Sequence, residues 1–204
     1  MGELAYFGAK VLHQRMVAPL KEHGIPLCIK NVYKPQQSGT WISAKPTPQQ
    51  RIKAVTRIQG ILLTTDSSGT VSQVSQLVDE AMFNSIGVHA DVMIAAQASR
   101  RSLLCYIIPT SAGPDVGRLV ELAVSARLTQ STQEHTWNVQ QATVITAVGA
   151  DLNSSTGVIA GVLQALDGLR ILAVSQNPVW CAVSIVVEPR DSDVVLQRLH
   201  ALTL

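Results

Sequence analysis

The sequence predicts an α+β fold made of two copies of one unit, each a four-stranded antiparallel sheet with two helices on one face. The first observation behind this is internal repetition. "SSGTVSQVSQLVDEAMFNSIGVHADVMIAAQASRRSLLCYIIPTSAGPDVGRLVELA" has the same layout as "SSTGVIAGVLQALDGLRILAVSQNPVWCAVSIVVEPRDSDVVLQRLHAL". Pro109 and Pro189 lie 80 positions apart, and Asp115-Val116 and Asp193-Val194 lie 78 apart, so the landmarks repeat at nearly one offset. The second is periodicity, which switches in each copy between helical spacing and short Val/Ile-rich runs. The third is punctuation, with glycine after each first helix and proline before each second one. Each copy reads strand, Ser-Ser-Gly turn, helix, strand, strand, helix, which with one further strand is a ferredoxin-like βαββαβ unit.

Taken in order, "YFGAKVLHQRM" is an amphipathic helix broken by Pro19 and Gly24, and "IPLCIKN" behind it is strand-like. These ~30 residues are too few to bury a core alone. Residues 33–50, "YKPQQSGTWISAKPTPQQ", hold three prolines, a glycine and polar filler, and read as a connector. A second polar stretch, residues 129–141, "TQSTQEHTWNVQQ", divides the two repeats. Val71, Val74, Leu77, Val78, Ala81 and Met82 follow helical spacing, as do Val158, Ile159, Val162, Leu163 and Leu166. Gly87 and Gly168 suit the left-handed position that ends a helix. "VHADVMIAA", "SLLCYII", "ATVITAVG", "ILAVS" and "CAVSIVV" read as strands. Pro114 fits a first helical residue, and Asp191 an N-cap. The second repeat ends one strand short, and "QRIKAVTRIQG", just before the first, supplies a strand with no local partner. That strand could complete the second sheet, with the first repeat inserted after it.

Composition limits the function. The 204 residues are 47% apolar and 15% charged, enough to bury one large domain or two small ones. A net charge of +2 without a Lys/Arg cluster, and 4% aromatic residues, argue against nucleic-acid binding. No basic-then-apolar leader and no 18-residue apolar run is present, so no membrane partner is expected and a cytoplasmic chain is. Cys28, Cys105 and Cys181 lie 77 and 76 residues apart, each in an apolar strand-like run, where a thiol serves as a small core hydrophobe. None of the five histidines has a Cys or carboxylate at metal-ligand or catalytic spacing, so no metal and no catalytic residue is expected. His89 reads as a surface strand residue.

The opening stretch "YFGAKVLHQRMVAPLKEHGIPLCIKNVYKPQQSGTWIS" resembles the end of the kinase domain of aspartate kinases, approximately Y/F-G-A-K-V-L-H-P, a helix, I-P-V-R-I-K-N, then P-x-x-x-G-T. Two departures stand out: His13-Gln14 replaces the family's His-Pro, and Cys28 its Arg. "VGADLNSSTGVIAGVLQALDGLRILAVSQ" is similar to the family's second ACT signature. The resemblance implies a remnant of the amino-acid-kinase catalytic domain with a linker at 1–43, a first ACT domain at 61–138, and a second at 50–60 and 139–204. In this family the segment before the first ACT domain lends a strand to the second. The K-F-G-G-[ST] phosphate-binding turn is absent, and no other phosphate loop replaces it, so this chain is expected not to catalyse by itself. No cofactor is expected here, ATP and Mg being implied only for the kinase domain. Lys10 matches a family lysine on the nucleotide side, but without the rest of the kinase site an exposed helix lysine is the better description of it.

ACT domains sense free amino acids, so the resemblance implies an effector, lysine or threonine, and a homodimer. A carboxylate suits the backbone N–H groups where a strand turns into a helix. "DSSGTV" is such a turn, so Ser67, Ser68, Gly69, Thr70 and Val71 are candidate effector-binding residues. "DLNSSTGV" is another, giving Asn153, Thr156 and Gly157, with Ser175 and Gln176 on the strand behind. A capped helix alone would look the same at either turn. In lysine-binding members an Asp on the second strand and a Glu in the following "TSE" meet the amines. Asp91 aligns with that Asp, and the "TSE" position reads Ala96-Gln97-Ala98. The second carboxylate is thus missing, which leaves room for a structural dimerisation module with a degenerated pocket.

Overall fold

The structure is a computed structural model, and it describes residues 19–20, 22–42, 52–65, 71–89, 91–97, 102–108, 116–130, 137–149, 152, 156–177 and 181–203. Strands β1 (Leu27–Ile29) and β2 (Thr40–Ile42) form a two-stranded antiparallel sheet, with Cys28 opposite Trp41. The connector expected at 33–50 therefore contains a strand. Thr40, Trp41 and Ile42 are two β-branched residues around an aromatic, a composition that suits a pleated surface.

The rest is built on one six-stranded sheet in the order β4-β5-β3-β6-β8-β7. Its strands are β3 (Ile52–Thr65), β4 (Asp91–Gln97), β5 (Ser102–Ile108), β6 (Trp137–Gly149), β7 (Ile171–Asn177) and β8 (Ala182–Val187). Four helices connect them: α1 (Val71–Ile86), α2 (Val116–Gln130), α3 (Thr156–Ala165) and α4 (Ser192–His200).

The two long central strands join the halves. β3 pairs with β6 over its full length, from Ile52 opposite Gly149 to Thr65 opposite Trp137. Only Gln59–Thr65 of β3 also pairs with β5, and only Thr143–Val148 of β6 also pairs with β8. Each long strand is therefore central in one half and an edge in the other. Ile52–Ile58 provides the fourth strand of the second repeat, and Trp137–Ala142 provides the fourth strand of the first. The unpartnered strand of the sequence has its place here. It is continuous with "ILLTT", and of the polar stretch expected to divide the repeats, residues 129–130 close α2, residues 137–141 open β6, and residues 131–136 lie outside the described residues. Polar residues such as Asn138 and Gln140 are tolerated in β6 because that half is a sheet edge.

Alternation sorts the side chains into three cores. On one face Ile61, Leu63, Leu104 and Tyr106 pack with Val78, Ala81 and Met82 of α1 and Val120 and Val124 of α2. On the same face of the other half, Ile145, Ala147, Val183, Ile185 and Val187 pack with Val158, Val162, Val195 and Leu199 of α3 and α4. The opposite face, helix-free among the described residues, holds a third core. Ile58, Leu62, Ile94, Cys105, Ile107, Ala142, Val144 and Val186 are buried there, with Leu172 and Ala173 packed against them.

Helix ends follow the expected chemistry in part. Gly87 (φ +68°) and Gly168 (φ +78°) are left-handed, and Gly87 N donates to Phe83 O at 2.8 Å. Arg198 of α4 adds a cap unseen in sequence, its Nη1 donating to the carbonyls of Ala165 (3.2 Å) and Asp167 (2.9 Å) beyond α3. Asp191 occupies the N-cap position of α4, but its side chain makes no capping bond. A 3-10 turn at Pro189–Asp191 leads into the helix, so the N–H of Ser192 is already bonded to Pro189 O. The start of α2 expected at Pro114 lies outside the described residues, where the helix is seen from Val116.

Candidate functional site

The expected site has two halves in the first repeat, a turn after β3 and a carboxylate on β4. Lys10, Ser67, Ser68, Gly69, Thr70 and Asn153 lie outside the described residues. Val71 is the first residue of α1, and Thr65 the last of β3, so these bracket the turn. Thr65 stands opposite Ser102, and Ser102 opposite Gln97, so Gln97 marks the turn end of the edge strand. Asp91 stands opposite Ile107, which stands opposite Gly60, and this is the other end. From Gly60 to Thr65 is about 17 Å at ~3.4 Å per residue. Within one chain Asp91 and the turn end are too far apart to hold the same free amino acid. Asp91 is exposed and already engaged in a polar interaction.

The second repeat gathers its candidates differently. Asn177 and Val148 both stand opposite Ala182, so Ser175 and Gln176 lie near the end of the sheet from which the chain leaves β6 for α3. Thr156 and Gly157 open that helix and are exposed. Gln176 stands opposite Val183 and shares the helix-covered face. Ser175 stands opposite Ser184 and therefore points to the helix-free face. The two adjacent candidates thus serve opposite faces.

Ser175 belongs instead to a row of hydroxyls across four strands. Ser175, Ser184, Thr146 and Thr56 stand opposite one another in turn. Thr146 Oγ1 and Ser184 Oγ are 2.9 Å apart and buried, whereas Thr56 Oγ1 is buried without a partner. Sequence reading passed over this row. Its trace is a single Ser or Thr inside each of three apolar runs, "AVTRI", "VITAV" and "AVSIV".

The remaining expected groups have structural roles. Cys105 is buried, and burial pushes its thiol up to about 12, which keeps it protonated and unreactive. Burial also raises Tyr106, opposed by its hydrogen bond to Ser75 at 3.2 Å. Cys28 lies in β1, but Cys181 precedes β8 with φ 42°, its carbonyl accepting from Gly149 N at 3.1 Å. All three thiols are free. His89 lies in the connection before β4 rather than in a strand, stacked on Phe83 at 4.8 Å with Nδ1 3.0 Å from Asp79 Oδ2. Among the described residues no group of three His, Cys, Asp or Glu could hold a metal ion, and no helix is long and apolar enough to cross a membrane.

No family model matches the chain. Over 98% of its length it is 25% identical to the chloroplastic bifunctional aspartokinase/homoserine dehydrogenase 2 of Arabidopsis thaliana, of which it spans 23%. It is 26% identical over 98% of its length to the aspartokinase of Chlamydia pneumoniae, of which it spans 44%. The homologues of this chain are thus aspartokinases and bifunctional aspartokinase/homoserine dehydrogenases, matched along its whole length. The chain spans less than half the length of these relatives. Its fold is similar to that of a part of E. coli aspartokinase III in complex with aspartate and ADP, with TM-score 0.72, 21% identity, and coverage of 98% of this chain and 44% of that one. The same enzyme with lysine and aspartate, in its T-state, gives a TM-score of 0.70 at 20% identity, over 98% of this chain and 44% of that one. The regulatory subunit of aspartate kinase from Thermus flavus is covered completely by 76% of this chain, with TM-score 0.54 and 15% identity.

Proposed function

We propose that this chain is the regulatory region of an aspartate kinase, a tandem pair of ACT domains that binds a free amino acid and holds the enzyme as a homodimer. The parent enzyme would phosphorylate L-aspartate with ATP in the cytoplasm. The observation that carries this reading is homology to aspartokinases along the whole chain, joined to a fold of two ferredoxin-like units that lend each other a strand. The effector's carboxylate would meet the backbone from Ser67 to Val71, and its amine Asp91. Thr156, Gly157 and Gln176 would form the corresponding contacts of the second repeat.

The distance between the two ends of the first repeat supports a site completed by a second copy. Among the described residues β4 is the last strand of the sheet and pairs only with β5, so its outer side is the edge a second copy could cover. Antiparallel pairing of β4 with β4 of a partner would cover that edge and carry Asp91 of one protomer to the turn end of the other. The alternative, a structural dimerisation module with a degenerated pocket, is favoured by Ala96-Gln97-Ala98, which supplies no second carboxylate.

Calorimetry of the chain with lysine, threonine and methionine separates the two readings. The sensor gives a saturable heat with lysine or threonine and a higher Tm in its presence. Asp91→Ala should weaken that binding by roughly 10- to 100-fold, the loss of one charge-assisted hydrogen bond. A dimer by light scattering with no heat from any of the three would leave only the structural module. Formation of aspartyl phosphate by this chain alone would overturn both.

A further inference from the structure

No further inference is drawn: the strongest candidate, the exposed apolar side chains Ile25, Val32, Tyr33 and Trp41 on and around the two-stranded sheet of β1 and β2, is an unpartnered surface, and nothing among the described residues shows what covers it.

Discussion

Thr56 and Cys105 occupy the same helix-free face and illustrate opposite ways of burying a polar atom. The Thr56 hydroxyl is buried without a partner, although its cross-strand neighbour Thr146 is satisfied by Ser184. Desolvating a hydroxyl without replacing its hydrogen bond costs about 1–3 kcal/mol. Thr56→Val keeps the shape and removes the orphan, so urea denaturation should show a gain of ~1 kcal/mol. A loss would mean that water or a ligand satisfies the hydroxyl. Cys105 carries its cost in its ionisation. A thiol held neutral up to about 12 in the folded chain, against 9.0 as its ordinary value, makes the unfolded state the weaker proton binder between those values. Stability from this group is complete below pH 9 and is lost as pH rises toward 12, by up to ~1.4 kcal/mol per pH unit. Cys105→Val should remove that part of the alkaline loss in denaturation curves measured from pH 8 to 11.

At the scale of elements, the helices and short strands were readable because each contains its own signal. Helical spacing marked α1 and α3, and Gly87 and Gly168 marked their ends. The long strands were not readable in full, since their continuity is decided by pairing between distant segments. "QRIKAVTRIQG" and "ILLTT" are separated to the eye by Gly60, and the polar start of β6 looks like a loop until its place at an edge is known. The candidate site suffered in the same way: residue types at Asp91 and in the turn after β3 suited an amino acid, but the register that sets Asp91 at the end of the sheet opposite Thr65 is a tertiary fact. Gly60 sits where β3 passes from one half to the other, and a Cβ there would come within 2.6 Å of the Tyr106 carbonyl oxygen. Gly60→Ala must displace a central strand, and should cost roughly 1–3 kcal/mol by denaturant titration. Hydrogen exchange should follow the same division. Amides within 59–65 and 143–148, flanked by strands on both sides, should exchange more slowly than those within 52–58 and 137–142. Equal protection along β3 or β6 would contradict the two-sided and one-sided pairing.

For the whole molecule, the exchange of edge strands turns two units of marginal size into one cooperative body. A unit of ~70–80 residues is near the lower limit for a core of its own. Here neither unit owns its fourth strand, because that strand is the continuation of its neighbour's central one. The helix-free core contains Ile94, Cys105 and Ile107 from the first half and Val144 and Val186 from the second, so unfolding either half exposes apolar surface of the other. Loss of one half would also leave the remaining sheet with a new unpaired edge and three strands, too few to cover its helices. Equilibrium unfolding should therefore be a single transition. Far-UV circular dichroism, which follows the helices of both halves, and exchange protection in the two cores separately should give coincident midpoints. Destabilising only the second core by Leu199→Ala, at a cost of about 2–5 kcal/mol, should lower both midpoints together. A first half that keeps its midpoint while the second melts would show two independent domains joined by long strands.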